Sequence, residues 1–358
     1  MTPETLISQV NRNCEIASAG LAGHYSLCGL LLRLRQLYKW EHDLPPWQEP
    51  EPGDVLAWVE AKEQSWEGLE GAPWQELAWN GATVDPFAVE DLNRDLIPRG
   101  LAYGAGYSRG LAPTCFLGEL LEARRLEGLT ILVLGPELAR DLDATPALCQ
   151  GSLIYARKQA LAYYLWDRLS DPVQQKNPFL KIALEAYRMP LTDLLRDPEA
   201  HRPAFDALVA GELEAAIRHE IGEAREPGLG EAFHAAVALF PQTRVELWVR
   251  ALKDALAEVN EWGRLAYLIE ARRLPSLALM LAWRPGLYPL LLPELESAFW
   301  QVANGVGWEA LAEARESMLT RLRATAAALS DLLAAAQTAS PQRTRREIER
   351  RFLTPLGL

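Results

Sequence analysis

The stretch "RGLAYGAGYSRGLAPTCFLGELLEARRLEGLTILVLGPELARDL", residues 99–142, decides the fold class of this chain. Glycines separate its aromatic and aliphatic segments, and "LTILVLG" has the composition of a buried strand. This pattern predicts a small antiparallel β hairpin or meander near residues 100–135, followed by a helix that starts at Pro136. Helical patterns flank it on both sides. We therefore expect a mostly α protein of the α+β class with a helical bundle-like architecture.

The segment before this β element is predicted to be helical and rich in tryptophan. Leu6 and Val10 stand at helical spacing, and a second apolar stripe runs through residues 27–38 until Pro45 and Pro46 stop it. Six of the twelve tryptophans lie in the segment of residues 40–79, namely Trp40, Trp47, Trp58, Trp66, Trp74 and Trp79. Indoles of this size usually anchor a core. The alternative is a Trp-lined groove for a ligand or a partner.

The segment after the β element is predicted to be all-helical, with prolines as stops. Its longest helical pattern places five apolar residues on one side, namely Leu311, Met318, Leu322, Leu329 and Leu333. We accordingly predict a Trp-rich N-terminal part, residues 1–148, and an all-helical C-terminal part, residues 149–358.

Composition excludes several classes of protein. The formal net charge of -12 argues against a broad nucleic-acid surface, which must neutralise phosphates with lysine and arginine. The four cysteines are widely spaced and form no CxxC pair, which disfavours a ribbon-type zinc site. The N-terminus lacks the pattern of a signal peptide, and the longest apolar stretch is interrupted by Arg284 and by prolines. We expect a soluble cytoplasmic protein that does not interact with membranes.

The strongest candidate site is "RHEIGEARE", which contains an HExxE pattern. On a helix, His219 and Glu223 lie one turn apart on one face and can share a divalent metal ion, zinc or iron. Glu220 points about a quarter turn away and is a candidate catalytic base. The pattern resembles the HExxH of zinc peptidases with the second histidine replaced, which speaks against a peptidase. An ExxH pair, Glu231 and His234, follows a glycine turn, and two antiparallel helices there would bring it to the same metal ion. The alternative is that these two helices form a charged, solvated hairpin without a metal.

A second candidate metal pair lies near the N-terminus. His24 and Cys28 are four residues apart, so on a helix they point the same way and can hold zinc or copper. Both also follow the apolar stripe of that segment. The alternative is therefore that they are core residues.

The stretch "NCEIASAGLAGHYSLCGLLLRLRQLYKWEHDLPPW", residues 13–47, together with "GPELARDL" and "RHEIGE", resembles an uncharacterised bacterial protein family. The resemblance covers most of the chain and implies a whole-chain unit rather than a fusion. It carries no known activity.

Two functional hypotheses follow. The first is a metal-binding protein, or a metalloenzyme that uses a metal-activated water or dioxygen at the HExxE site. The second is a non-catalytic helical protein that binds a small molecule or a partner helix in a Trp-lined groove. The sequence does not define an oligomeric state.

Overall fold

The computed structural model describes residues 3–108, 112–228, 230–284, 286–335 and 340–358. Its helices are α1 (Pro3–Ala22), α2 (Leu27–Glu41), α3 (Pro52–Trp66), α4 (Val89–Leu96), α5 (Lys158–Ser170), α6 (Pro178–Ala186), α7 (Leu191–Arg196), α8 (Arg202–Arg225), α9 (Gly230–Leu239), α10 (Arg244–Val259), α11 (Arg264–Glu270), α12 (Leu274–Ala282), α13 (Tyr288–Leu291), α14 (Glu294–Ala303), α15 (Glu309–Ala335) and α16 (Pro341–Ile348). Its strands are β1 (Leu77–Trp79), β2 (Ala82–Val84), β3 (Leu101–Tyr107), β4 (Pro113–Leu126), β5 (Leu129–Arg140), β6 (Ala147–Gln150) and β7 (Leu153–Arg157). The predicted class, mostly α within α+β, is confirmed.

The larger sheet has five strands in the order β3-β4-β5-β7-β6. Three of its pairs are antiparallel, and β5 pairs with β7 in parallel. The predicted antiparallel meander is therefore present as β3, β4 and β5. The strands β1 and β2 form a separate antiparallel pair.

The predicted helix start at Pro136 is wrong, because β5 continues through this residue to Arg140. Proline lacks the N–H that a ladder requires, so it is tolerated only where pairing is interrupted. Opposite Pro136, the β4–β5 register shifts on both sides of Gly118. The parallel ladder to β7 has already ended at Leu134. The strand therefore accommodates the proline without losing a regular hydrogen bond.

The chain divides into two compact units. The first comprises Met1–Pro172 and Leu195–Leu213, and the second comprises Val173–Leu194 and Glu214–Leu358. The strand β6 spans the predicted boundary at residue 148, and β7 lies in the part predicted to be all-helical. The boundary between residues 148 and 149 stays a prediction.

In the first unit, α1 packs on one face of the five-stranded sheet. Leu6, Val10 and Cys14 recur every four residues along α1, so they share one face, and all three are buried. Cys115 and Leu117 of β4 belong to the same cluster. The residue between these two, Phe116, lies in a second buried cluster with Tyr155 of β7. Successive side chains of β4 thus point to opposite faces of the sheet and contribute to two apolar layers.

In the second unit, helices bury their apolar stripes against one another. The five residues predicted to share one side of α15 are all buried, namely Leu311, Met318, Leu322, Leu329 and Leu333. On α10, the buried stripe includes Trp248, whose ring stacks on Phe352 at 5.0 Å. The helix α10 matters most for the site, because one of its faces carries carboxylates instead of apolar groups.

Within the described ranges, no helix has both the length and the apolar composition that a membrane crossing demands.

Candidate metal centre

The predicted pair His219 and Glu223 lies on one face of α8. Their side chains are one helical turn apart, with 3.9 Å between Nε2 of His219 and Oε2 of Glu223. Both are partly buried. The HExxE spacing therefore places an imidazole nitrogen and a carboxylate oxygen side by side, as a shared ligand requires.

A third side chain, Asp254 of α10, completes a cluster of candidate metal-ligating groups. One ligand atom from each of His219, Glu223 and Asp254 lies within 4.8 Å of the other two. Among the described residues, these three form the group of histidine, cysteine or carboxylate side chains close enough to share a metal ion. Asp254 was not predicted, because it comes from another helix. The available signal is the pair Asp254 and Glu258, four residues apart on α10 and bordered by apolar residues.

The carboxylate of Glu258 is the buried centre of the surrounding network. Its side chain is 2% exposed, and its Oε1 lies 3.1 Å from Nδ1 of His219 in an ion pair that departs from linear hydrogen-bond geometry. Nε of Arg264 donates to Oε2 at 2.7 Å, and the Tyr288 hydroxyl donates to Oε1 at 3.3 Å. Burial opposes ionisation of Glu258, but Arg264 and His219 outweigh it and lower its pKa to about 2.

The same carboxylate sets the charge of His219. Burial alone would lower the pKa of the imidazole, but the negative charge of Glu258, assisted by Glu220, raises the pKa to about 9. His219 is therefore a cation at neutral pH when no metal is bound.

Glu223 and Asp254 also have positive neighbours. The Lys253 ammonium donates to Oε1 of Glu223 and lies 4.7 Å from the ring centre of Phe233. Burial raises the pKa of Asp254, and the charge of His219 partly offsets this. The network has three potential cations and three potential anions, namely His219, Lys253 and Arg264 against Glu223, Asp254 and Glu258. These six groups carry no net charge when ionised, and Glu220 beside His219 adds one negative charge.

The other residues predicted for this site do not join the cluster. Glu220 is half-buried beside His219, whose pKa it raises, and it does not belong to the group of three. Glu231 and His234 lie on α9 and are exposed, and the His234 ring packs 5.3 Å from that of Phe233. In the described part of the chain, α9 thus contributes no ligand atom to the cluster.

The predicted geometry of His24 and Cys28 is wrong. Ser26 caps α2 by accepting a hydrogen bond from the Gly29 amide, so His24 lies in the turn before the helix and Cys28 lies in its first turn. The two side chains therefore do not share a helical face. Both are exposed, so the alternative of core residues is wrong as well.

The tryptophans of residues 40–79 mainly serve packing. Trp66 and Trp79 are buried, and Trp74 stacks on Phe87 at 4.9 Å. Trp47 makes edge contacts with Trp166 and Phe205 at 5.9 and 5.8 Å. A cavity of about 370 Å³ opens beside Trp47.

Comparison with known proteins gives a family without an assigned activity. Two family models match the chain, the N-terminal domain of a family of unknown function (DUF6866) over residues 5–157 and its C-terminal domain over residues 162–351. The chain belongs to the DUF6866 family. This confirms the predicted resemblance to an uncharacterised family. No curated protein and no solved structure matches this DUF6866 protein.

Proposed function

We propose that this DUF6866 protein binds a divalent metal ion, zinc or iron, through His219, Glu223 and Asp254. The observation that carries the proposal is the convergence of one imidazole and two carboxylates from two helices within 4.8 Å. One nitrogen and two oxygen donors suit both metals.

The surroundings of His219 support this assignment. Metal-bound histidines almost always direct their second ring nitrogen to a carboxylate or a carbonyl group, which orients the ring. Here Nδ1 faces Glu258 at 3.1 Å, while Nε2 lies on the side of Glu223. Glu258 is thus placed to orient the imidazole while Nε2 binds the metal.

Binding must displace two positive charges. Zinc–ligand distances near 2.1 Å require the three donor atoms to approach one another by roughly 1 Å, which side-chain rotation on α8 and α10 provides. His219 must also release its proton, and Glu223 must release Lys253. A divalent ion replaces both charges, so the electrostatic balance of the network is conserved.

In an enzyme, a metal with three protein ligands retains an open position, where it activates water or dioxygen. Glu220 is adjacent to His219 and is the proposed base for that chemistry. We also propose that the protein is cytoplasmic, as expected from its sequence.

Elemental analysis and calorimetric titration with Zn²⁺ and Fe²⁺ test metal binding. We expect one equivalent in the wild-type protein and a loss of at least about tenfold in affinity in His219→Ala and Asp254→Asn. The matched control is His234→Ala, which removes an exposed histidine outside the cluster and should bind as wild type. Absence of stoichiometric metal, or retention of metal by His219→Ala, overturns the proposal.

A second candidate function is ligand binding without catalysis in the first unit. The cavity of about 370 Å³ beside Trp47 is lined by the rings of Tyr163 and Phe205 and by three carboxylates against one arginine, namely Asp43, Glu199, Asp206 and Arg202, so it favours a planar aromatic cation. Titration with the cationic aromatic probe thioflavin T tests it. Saturable binding that Trp47→Ala abolishes supports this function, and binding that Trp47→Ala leaves unchanged contradicts it.

A further inference from the structure

A cavity of about 600 Å³ lies along one face of α10 in the second unit. Five α10 residues line it, namely Arg244, Leu247, Arg250, Ala251 and Asp254, and their spacing places them on one face of the helix. The rest of the lining comes from two other segments, namely Gly286, Leu287 and Tyr288 and the pair Gly357 and Leu358. Arg244 and Asp254 are ten positions apart along α10, so the lined face is about 15 Å long.

One end of this α10 cavity is cationic. Arg244 is exposed, and in the described chain its guanidinium has no hydrogen-bond or ion-pair partner. Arg250, which also lines the cavity, is already paired with Glu246 at 2.8 Å. Arg244 is therefore the group available to an incoming anion, and its planar fork matches a carboxylate.

The middle of the α10 cavity is mostly apolar, and the Arg250 guanidinium that borders it is paired with Glu246. The Leu247 side chain is 64% exposed, although large aliphatic groups are usually buried. Ala251 and Leu287 continue this surface inward. An apolar ligand body lying here would remove Leu247 from water, which favours binding.

The other end of the α10 cavity is polar. Asp254 lies there beside Tyr288, whose hydroxyl is committed to Glu258. A plain alkyl end would remove the Asp254 carboxylate from water without offering it a hydrogen bond, which is costly. A hydroxyl donates to this carboxylate and leaves the charge balance of the network unchanged, whereas an ammonium would add a positive charge.

We infer that the α10 cavity binds an elongated carboxylate with a hydroxyl at its far end, the carboxylate on Arg244, the chain on Leu247 and the hydroxyl on Asp254. This ω-hydroxycarboxylate site goes beyond the proposed metal centre and does not require a bound metal.

Calorimetric titration of the full chain with 10-hydroxydecanoate, after removal of metal by a chelator, tests this inference. We expect one molecule to bind per chain. Arg244→Gln should weaken binding about tenfold, because it removes a charge-assisted contact. The matched control is Arg346→Gln on α16, an exposed arginine that does not line the cavity and should leave affinity unchanged.

Two further comparisons test the apolar and hydroxyl contacts. Leu247→Glu introduces a negative charge at an exposed position, so the fold should persist while binding is lost. Decanoate lacks the far hydroxyl, so it should bind the wild type several-fold more weakly than 10-hydroxydecanoate does. The two ligands should bind Asp254→Ala equally, because alanine offers the hydroxyl no acceptor. No binding, or equal binding by Arg244→Gln, overturns the inference. Because metal is absent throughout, this outcome is independent of the metal proposal.

Discussion

The charge of His219 depends on one buried carboxylate, that of Glu258. The pKa of the His219 imidazole is about 9 in the folded chain and exceeds the ordinary value of 6.5, so protonation of His219 stabilises the metal-free fold. That stabilisation is fully present below pH 6.5 and is lost as the pH rises through 9. The raised pKa of His219 corresponds to about 3 kcal/mol of stability. This is the contribution of the whole His219–Glu258 ion pair, so the lowered pKa of Glu258 adds nothing further to it.

We therefore expect the free energy of unfolding of the metal-free protein to decrease by about 3 kcal/mol between pH 6.5 and pH 10 through this pair. Glu258→Gln should remove this component and lower the pKa of His219, because the burial of the imidazole then lacks its opposing charge. Urea unfolding as a function of pH and NMR titration of the imidazole measure the two effects. An unchanged His219 pKa in Glu258→Gln would show that another group holds the proton.

The four cysteines differ in accessibility. Cys14 and Cys115 are buried with 3.2 Å between their sulfur atoms, and burial raises the pKa of both thiols. Cys28 is exposed in the first turn of α2. The thiolate is the reactive form, so exposure and pKa together set the rate of alkylation.

Alkylation of the native protein with iodoacetamide should modify Cys28 quickly, and Cys14 and Cys115 should react only after denaturant is added. Peptide mass spectrometry at successive times measures the extent of alkylation at each cysteine. Cys28→Ser is the control and should remove the fast phase. Fast modification of Cys14 in the native state would contradict the packing of α1 on the sheet.

Local spacing predicted one part of the candidate site but not the rest. His219 and Glu223 were found because i and i+4 on a helix are neighbours regardless of tertiary structure. Asp254 and Glu258 come from α10, and only packing brings them to α8. The prediction for His24 failed because α2 begins only after Ser26. His24 therefore lies outside the helix, and its spacing of four residues from Cys28 does not place the two side chains on one helical face.

At the scale of elements, the approach of α8 to α10 depends on a glycine. A Cβ on Gly222 would lie 2.1 Å from the carbonyl oxygen of Ala257 and 2.9 Å from Cα of Gly263. The Gly222 carbonyl also accepts a hydrogen bond of 2.8 Å from Nδ2 of Asn260. Both close atoms belong to backbone, which cannot rotate away.

Gly222→Ala should therefore destabilise the protein by about 1–3 kcal/mol or more, despite the higher helix propensity of alanine. It should also weaken metal binding, since it separates His219 from Asp254. Gly53→Ala on α3 is the matched control, because no atom lies within 4 Å of the added methyl group. Denaturant unfolding compares the two. A neutral or stabilising Gly222→Ala would mean that the helices do not approach this closely.

The sheet shows which element-scale features a single sequence leaves undetermined. Strand composition predicted the meander, but the parallel pairing of β5 with β7 joins segments that are separated along the chain. Helix rules placed a start at Pro136, whereas the register shift in the neighbouring strand made the proline compatible with β5. Register is a property of two strands, so one strand's composition does not specify it.

At the scale of the whole molecule, the family models and the compact units divide the chain differently. The C-terminal family model begins at residue 162, whereas residues 195–213 belong to the first compact unit. Phe205 lies in that segment and is 1% exposed between Trp47 and Trp166. Phe179 lies under the same family model but belongs to the second unit, where its ring contacts Phe299 at 5.2 Å.

Substitution of Phe205 and Phe179 tests whether the compact units or the family-model boundary describe how the chain unfolds. Each truncation to alanine should cost about 3–5 kcal/mol, because it leaves a cavity among aromatic rings. If the compact units are the cooperative units of folding, Phe205→Ala raises hydrogen exchange in α5 and β7, and Phe179→Ala raises it in α12 and α14. Exchange measured by mass spectrometry on the full chain resolves these peptides. If both substitutions instead loosen the same peptides of residues 162–351 and spare β7, the family boundary rather than the compact unit describes how this protein unfolds.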